Sequence, residues 1–147
     1  MNKNLIPMNP NLGLLIMRAM IGVVGAIHGG GKLFGAFGGD GLRAFAEVLK
    51  GMNVPVPMVS ALLAGAAEFF GGIMIAVGLF PRLAAIPFAF TMFVAFFTAH
   101  HGKLIGKGSG EFALTLGAFA IGLFFTGPGR WSIGPVHGAT PAPRTKA

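Results

Sequence analysis

The chain has 147 residues, of which 54% are hydrophobic and 10% charged, with a mean hydropathy of +0.76; this excludes an ordinary soluble domain and leaves length for one membrane domain. It contains no cysteine, which excludes disulfides, thiol catalysis and cysteine-ligated metal or iron–sulfur centres. The formal charge of +7 comes from residues that flank apolar runs rather than from one basic face, so it points to membrane anchoring and not to nucleic acid.

A crossing needs about 20 mostly apolar residues. Residues 12–34 form the first expected span, interrupted by Arg18, His28 and Lys32. Lys3 gives only a thin basic region and no small-x-small site follows, so this segment reads as retained and not as a cleaved signal peptide. In the long first loop, residues 41–52 place Leu42, Phe45, Leu49 and Met52 on one helical face, with Arg43, Glu47 and Lys50 elsewhere. That pattern predicts a short helix, either lying in the membrane interface or packed over the bundle end. Residues 56–80 are the second span, with Glu68 as its one charge, and Pro81-Arg82 is so short a connection that spans two and three must be antiparallel neighbours. Residues 83–99 are the third span and carry no charge. A basic, glycine-rich loop over residues 101–110 leads to the fourth span, residues 112–127, which Glu111 precedes and Gly127-Pro128-Gly129 stops. Trp131 suits the headgroup level, and residues 135–147 are polar and proline-rich, which predicts a disordered tail.

The predicted architecture is therefore all-α: one domain over residues 1–134, a polytopic bundle of four transmembrane helices with an interfacial helix in the first loop. An even number of spans puts both termini on one side. Lys and Arg divide equally between the two sides, so the rule that sets orientation gives no bias; the basic tail and Arg82 in the tight turn select cytoplasmic termini.

A charge at bilayer depth costs roughly 2.5–3.5 kcal/mol on insertion scales, so it faces a protein interior or a wet cavity. Small and polar residues recur at helical spacing in every span: Arg18, Gly22, Gly25, Gly29 and Lys32 in the first, Ala61, Gly65, Glu68 and Gly72 in the second. The third shows Ala84, Thr91, Ala95 and Thr98, and the fourth Glu111, Thr115, Ala118 and Gly122. Such stripes predict close helix packing with the polar groups inside. With 1.5 Å of rise per residue, Glu68 falls near mid-membrane, roughly 9 Å in depth from Arg18 and about 6 Å from His28. One half of the bundle then gathers His28, Lys32, Glu68, His100, His101 and Glu111.

Arg18, His28, Lys32, Glu68, His100 and Glu111 are the candidate binding residues, and His28 and Glu68 the candidates for chemistry, because converging titratable groups at depth suit a polar headgroup or a proton relay. Each has a structural alternative. Arg18 and Glu68 would form an ion pair that fixes the bundle register. Lys32, His100 and His101 would mark helix ends, and Glu111 would answer a helix dipole.

The segment LIMRAMIGVVGAIHGGGKLF, from Leu15, resembles the opening of DoxX-family membrane proteins, with an early Arg and then a His-Gly-x-x-Lys-Leu/Phe run. AGAAEFFGGIMIAVGLFPRLAA, from Ala64, resembles the family's second signature, a Glu before paired glycines and then Gly-Leu-Phe-x-Arg. GEFALTLGAFAIGLFFTGPGRWSI, from Gly110, is similar to its closing segment, with Phe112 where many relatives carry Tyr and Gly134 in place of a frequent acid. The resemblance implies a small, multi-pass protein of the bacterial plasma (inner) membrane, in a family linked to sulfur, thiol or quinone redox chemistry. It implies signature positions at Arg18, His28, Lys32, Glu68, Arg82, Glu111 and Arg130. Two functions fit. One is a quinone-linked redox subunit that works with a partner oxidoreductase, because the chain has no electron carrier of its own. The other is a non-catalytic anchor or assembly factor for such an enzyme. Quinone is the cofactor this suggests, with no metal or haem; the partners are the lipid bilayer and a redox enzyme or subunit, and a homo-oligomer is compatible with both readings.

Overall fold

The computed structural model describes residues 9–134, and the expectation for the tail at 135–147 lies outside them. Among the described residues the protein is helical throughout, with no strand. Helix α1, Pro10–Phe34, starts on the Asn9 side chain, which accepts the Leu12 amide at 3.1 Å, with proline in the first turn, where its missing N–H costs nothing. It ends at Gly35 in the left-handed region. A 3-10 turn, Ala36–Gly38, leads to α2, Gly41–Gly51. Helices α3, Pro57–Val77, and α4, Pro81–Thr98, follow, each again opening on proline. Helix α5, Glu111–Thr126, is the last.

Helices α1, α3 and α4 are long and apolar enough to cross a membrane. At 16 residues, α5 is equally apolar but shorter. Helix α1 packs along α3, α3 on α4 and α4 on α5, while α2 lies across the α3 side of one end. Its partly buried Phe45 and Leu49 and its buried Ala46 face the bundle, so of the two expected placements the one packed over the bundle end describes its contacts.

Glycine sets the α1–α3 spacing. A Cβ at Gly72 would fall 2.6 Å from the Ala26 nitrogen and 2.7 Å from the Gly22 oxygen, and one at Gly65 would fall 2.7 Å from Leu33 Cδ2. The two backbones are therefore in contact, which no larger residue permits. Phe88 of α4 is wholly buried and fills the space that Gly25 leaves, continuing the core into Ile75, Met92, Ala120 and Leu123. The α5 stripe departs from expectation. Ala113, Leu116, Gly117, Ala120 and Leu123 are buried, whereas Glu111, Thr115, Ala118 and Gly122 face outward. Gly117, against Met92 and Phe93, is the small residue that lets α5 approach α4, and it lies on a different face from Gly122.

Candidate functional site

The bundle has two polar ends. At the first lie the C-terminus of α1, α2, the N-terminus of α3, the C-terminus of α4 and the start of α5. Here Lys32 Nζ of α1 meets both carboxylate oxygens of Glu68 of α3, at 2.5 and 2.7 Å. Glu68 has no exposed surface, and the Lys32 side chain is 27% exposed. The Phe45 ring of α2 covers the ammonium, with its centroid 4.9 Å from Nζ. A cation over a ring face is attracted by the ring quadrupole, the more so when water is excluded.

Glu68 thus pairs with Lys32, and not with Arg18 as the register alternative had it. The physical reason is the direction in which helical side chains lean, toward the N-terminus of their own helix. In the antiparallel pair α1–α3, Lys32 leans inward along α1 while Glu68 leans outward along α3, so the two converge. Arg18 leans toward the same N-terminus of α1, and so away from Glu68. It is 2% exposed, and its Nη1 donates to the Pro128 carbonyl at 2.8 Å, in the turn after α5. Its Nε has no partner among the described residues. Arg18 thus belongs to the second end, with Gly78, Arg82 beside Gly127, and the backbone N–H of Arg130, which donates to Asn11 Oδ1 at 2.9 Å.

Two cavities flank Lys32. One, about 250 Å³, lies under α2 and between α3 and α4, and its walls include Lys32, Glu68, His100, Phe45, Thr91 and Ala95. His100 Nδ1 is 3.0 Å from the Gly108 carbonyl. A carbonyl only accepts, so Nδ1 carries the proton, and in the neutral ring Nε2 is the free acceptor. The second cavity, about 450 Å³, lies between the end of α1 and the loop into α2, and includes His28, Lys32, Gly39 and Asp40. His28 is exposed and not inside the bundle: its ring lies against Phe112, centroids 5.5 Å apart. Glu111 is exposed at the start of α5, and His101 is exposed, with a left-handed backbone (φ 52°) at the loop start. Of the expected group, the structure brings Lys32, Glu68 and His100 to one cavity. It sets His28 beyond Lys32, leaves Glu111 and His101 on the rim, and places Arg18 at the other end.

Sequence reasoning missed Phe45 as a site residue. Its place on the apolar face of α2 was legible; which part of the bundle that face would cover was not. Among the described residues, no group of three or more His, Asp or Glu side chains could hold a metal ion.

Several apolar helices that bury a charged pair define a multi-pass helical membrane protein. The DoxX family model matches residues 13–101, more than half of the chain, and the chain belongs to the DoxX family. The match runs from α1 to the end of α4 and covers Arg18, His28, Lys32, Glu68, Arg82 and His100; Glu111 and α5 lie beyond it. No curated protein and no solved structure matches the chain.

Proposed function

We propose that this protein is a quinone-linked redox subunit of the bacterial plasma membrane, working with a partner oxidoreductase that supplies the electrons. In this reading α5 is the fourth crossing and both termini are cytoplasmic. The observation that carries it is the Lys32–Glu68 pair, buried at the wall of an otherwise apolar cavity beside His100. A few polar groups converging in an apolar pocket are the usual makings of a small-molecule site.

The residues fit a quinone head. Lys32 has three N–H groups, two of which Glu68 engages, so one remains for a carbonyl oxygen. His100 Nε2 offers an acceptor for a hydroxyl, and Phe45 and Ala95 give flat apolar walls. A bound quinone would supply a lipid-soluble carrier of two electrons and two protons. The chain's own part is to hold the head, exclude water and pass protons. Lys32 and His100 hold it, α2 closes the site above it, and Lys32 stands between the cavity and the more open one that holds His28 and Asp40. The test is to purify the protein from native membrane, extract and identify any quinone, and titrate quinone into the delipidated protein. Stoichiometric quinone, lost in Lys32→Met, is the expected result; no quinone and no binding would overturn the reading.

One observation favours the anchor reading as a second possibility. The outward face of α5, with Glu111, Thr115, Ala118 and Gly122, is exposed among the described residues, and small residues facing lipid are what a neighbouring helix packs against. Cross-linking from Thr115 to a co-purifying redox enzyme or a second copy, with no quinone bound, is the result that reading expects.

A further inference from the structure

The cavity beneath α2 adjoins a third space, a groove of about 470 Å³ on the outer surface between α3 and α4. The two share the wall residues Val54, Ser60, Ala64, Thr91 and Val94. Farther along, the groove runs between the strongly exposed side chains Leu63 (64%) and Phe90 (69%), over the small floor residue Ala67. It offers a ligand no free hydroxyl donor. The Ser60 hydroxyl donates to the Pro55 carbonyl at 2.7 Å and the Thr91 hydroxyl to the Pro87 carbonyl at 3.0 Å, so both protons are already engaged. At the α2 end, by contrast, the cavity is lined by Phe45, Val48, Leu49 and Met52 of α2 and its cap.

Resting on the quinone reading above, we propose that the ligand enters sideways from the bilayer between α3 and α4 and leaves an isoprenoid tail in this groove, so that the site selects long-tailed quinones. The charge of the site selects that occupant over a phospholipid. Glu68 cancels the charge of Lys32, so the pair suits a neutral head and repels a phosphate no less than it attracts one. The cavity of about 250 Å³ lies just under the roughly 300–1,000 Å³ of ordinary ligand sites, enough for one ring.

The groove also separates two routes. The tail side is apolar from Ala64 to Phe90, whereas the protonatable groups His28 and Asp40 lie across Lys32 on the opposite side. A head held at Lys32 is thus reached by hydrocarbon from one direction and by protons from the other.

The test measures binding and needs no partner enzyme. Protein in nanodiscs is titrated with a quinone carrying several isoprenoid units and with the same ring bearing a methyl group in place of the tail, at matched concentrations in the bilayer. The long-tailed form should bind about tenfold more tightly. Ala67→Trp fills the groove floor, and should bring the long-tailed affinity down to that of the tail-less ring while leaving the ring itself unaffected. Leu63→Trp, on the exposed rim, repeats the test without crowding the interior should the first variant fold poorly. Equal binding of both forms by the native protein, or an unchanged preference in a folded groove variant, overturns the proposal while the quinone reading stands. A phospholipid seen by native mass spectrometry and lost in the groove variants also overturns it. If neither quinone binds the native protein, the quinone reading falls and takes this inference with it.

Discussion

The two ends of the bundle each bury a cation, and they treat it in opposite ways. At one end Lys32 meets a carboxylate, an aromatic face and an adjacent cavity. At the other Arg18 meets, among the described residues, the Pro128 backbone carbonyl and close-packed neighbours, so tightly that a Cβ on Gly78 would fall 2.7 Å from Ser132 Cβ and 2.9 Å from the Arg18 guanidinium carbon. Desolvating a charge costs several kcal/mol in either place. Among the described residues a cavity stands beside Lys32, whereas Arg18 is close-packed against Gly78. An ion that fixes a fold is enclosed on all sides, and an ion that serves a ligand keeps one side open.

The largest effect should come from a change that strikes both ends at once. Gly72→Leu pushes α1 off α3, and backbone atoms of Ala26 and Gly22 stand where its Cβ must go. Its cost should lie at or past the upper end of the roughly 1–3 kcal/mol of ordinary overpacking. Membrane accumulation and thermal unfolding in detergent would show it; a stable Gly72→Leu protein would break the backbone contact on which both ends depend.

Next comes Glu68→Gln, which strands Lys32. Breaking a fully buried pair costs roughly 3–5 kcal/mol, and since Lys32 keeps some contact with solvent about 2 kcal/mol is the figure to look for. Lys32→Met combined with Glu68→Met should recover most of that stability while quinone binding stays lost. Stability that fails to recover in the double variant would show that the pair does more than neutralise itself.

Arg18→Met sharpens the contrast from the other side. It gives up the bond to the Pro128 carbonyl, worth about 1–2 kcal/mol, and should loosen the segment after α5 toward protease. Quinone affinity should not move. A fall in affinity as large as that of Lys32→Met would end the division of the molecule into two ends.

The smallest effect belongs to Phe45→Leu, which keeps apolar bulk over Lys32 and removes the ring face. It should cost roughly 0.5–1 kcal/mol, read as a melting temperature slightly lower than that of the native protein. An unchanged melting temperature would remove Phe45 from the enclosure of Lys32.

Three of the helices could be read from composition alone, because an unbroken apolar run has few other fates in water or lipid. The glycines at α1–α3 were legible too, since Gly22, Gly25, Gly65 and Gly72 share their stripes with charges that must avoid lipid. The partner of Glu68 was harder. A count of residues along the axis gives the depth of a Cα, while the pairing was decided by which way two long side chains lean from antiparallel helices. The inner face of α5 was misread for another reason: Glu111, Thr115, Ala118 and Gly122 make a regular stripe, but α5 packs on α4 through Gly117 and that stripe is exposed among the described residues. Regular spacing identifies a face without saying what lies opposite it. His28 illustrates the same limit, because a residue one turn from a glycine face can still project outward, and here it meets Phe112 in the first turn of α5.

The unequal lengths of the helices have a consequence for the membrane itself. With 25 residues α1 is about 37 Å long, and with 16 residues α5 is about 24 Å, against a hydrocarbon thickness of roughly 30 Å. On the four-crossing reading no flat bilayer matches both. Lipid must thin beside α5 or α1 must tilt, and each ångström of mismatch carries a fraction of a kcal/mol. A neighbouring protein that covered α5 would relieve that deformation, so the bilayer alone would favour company on the side where this chain is shortest.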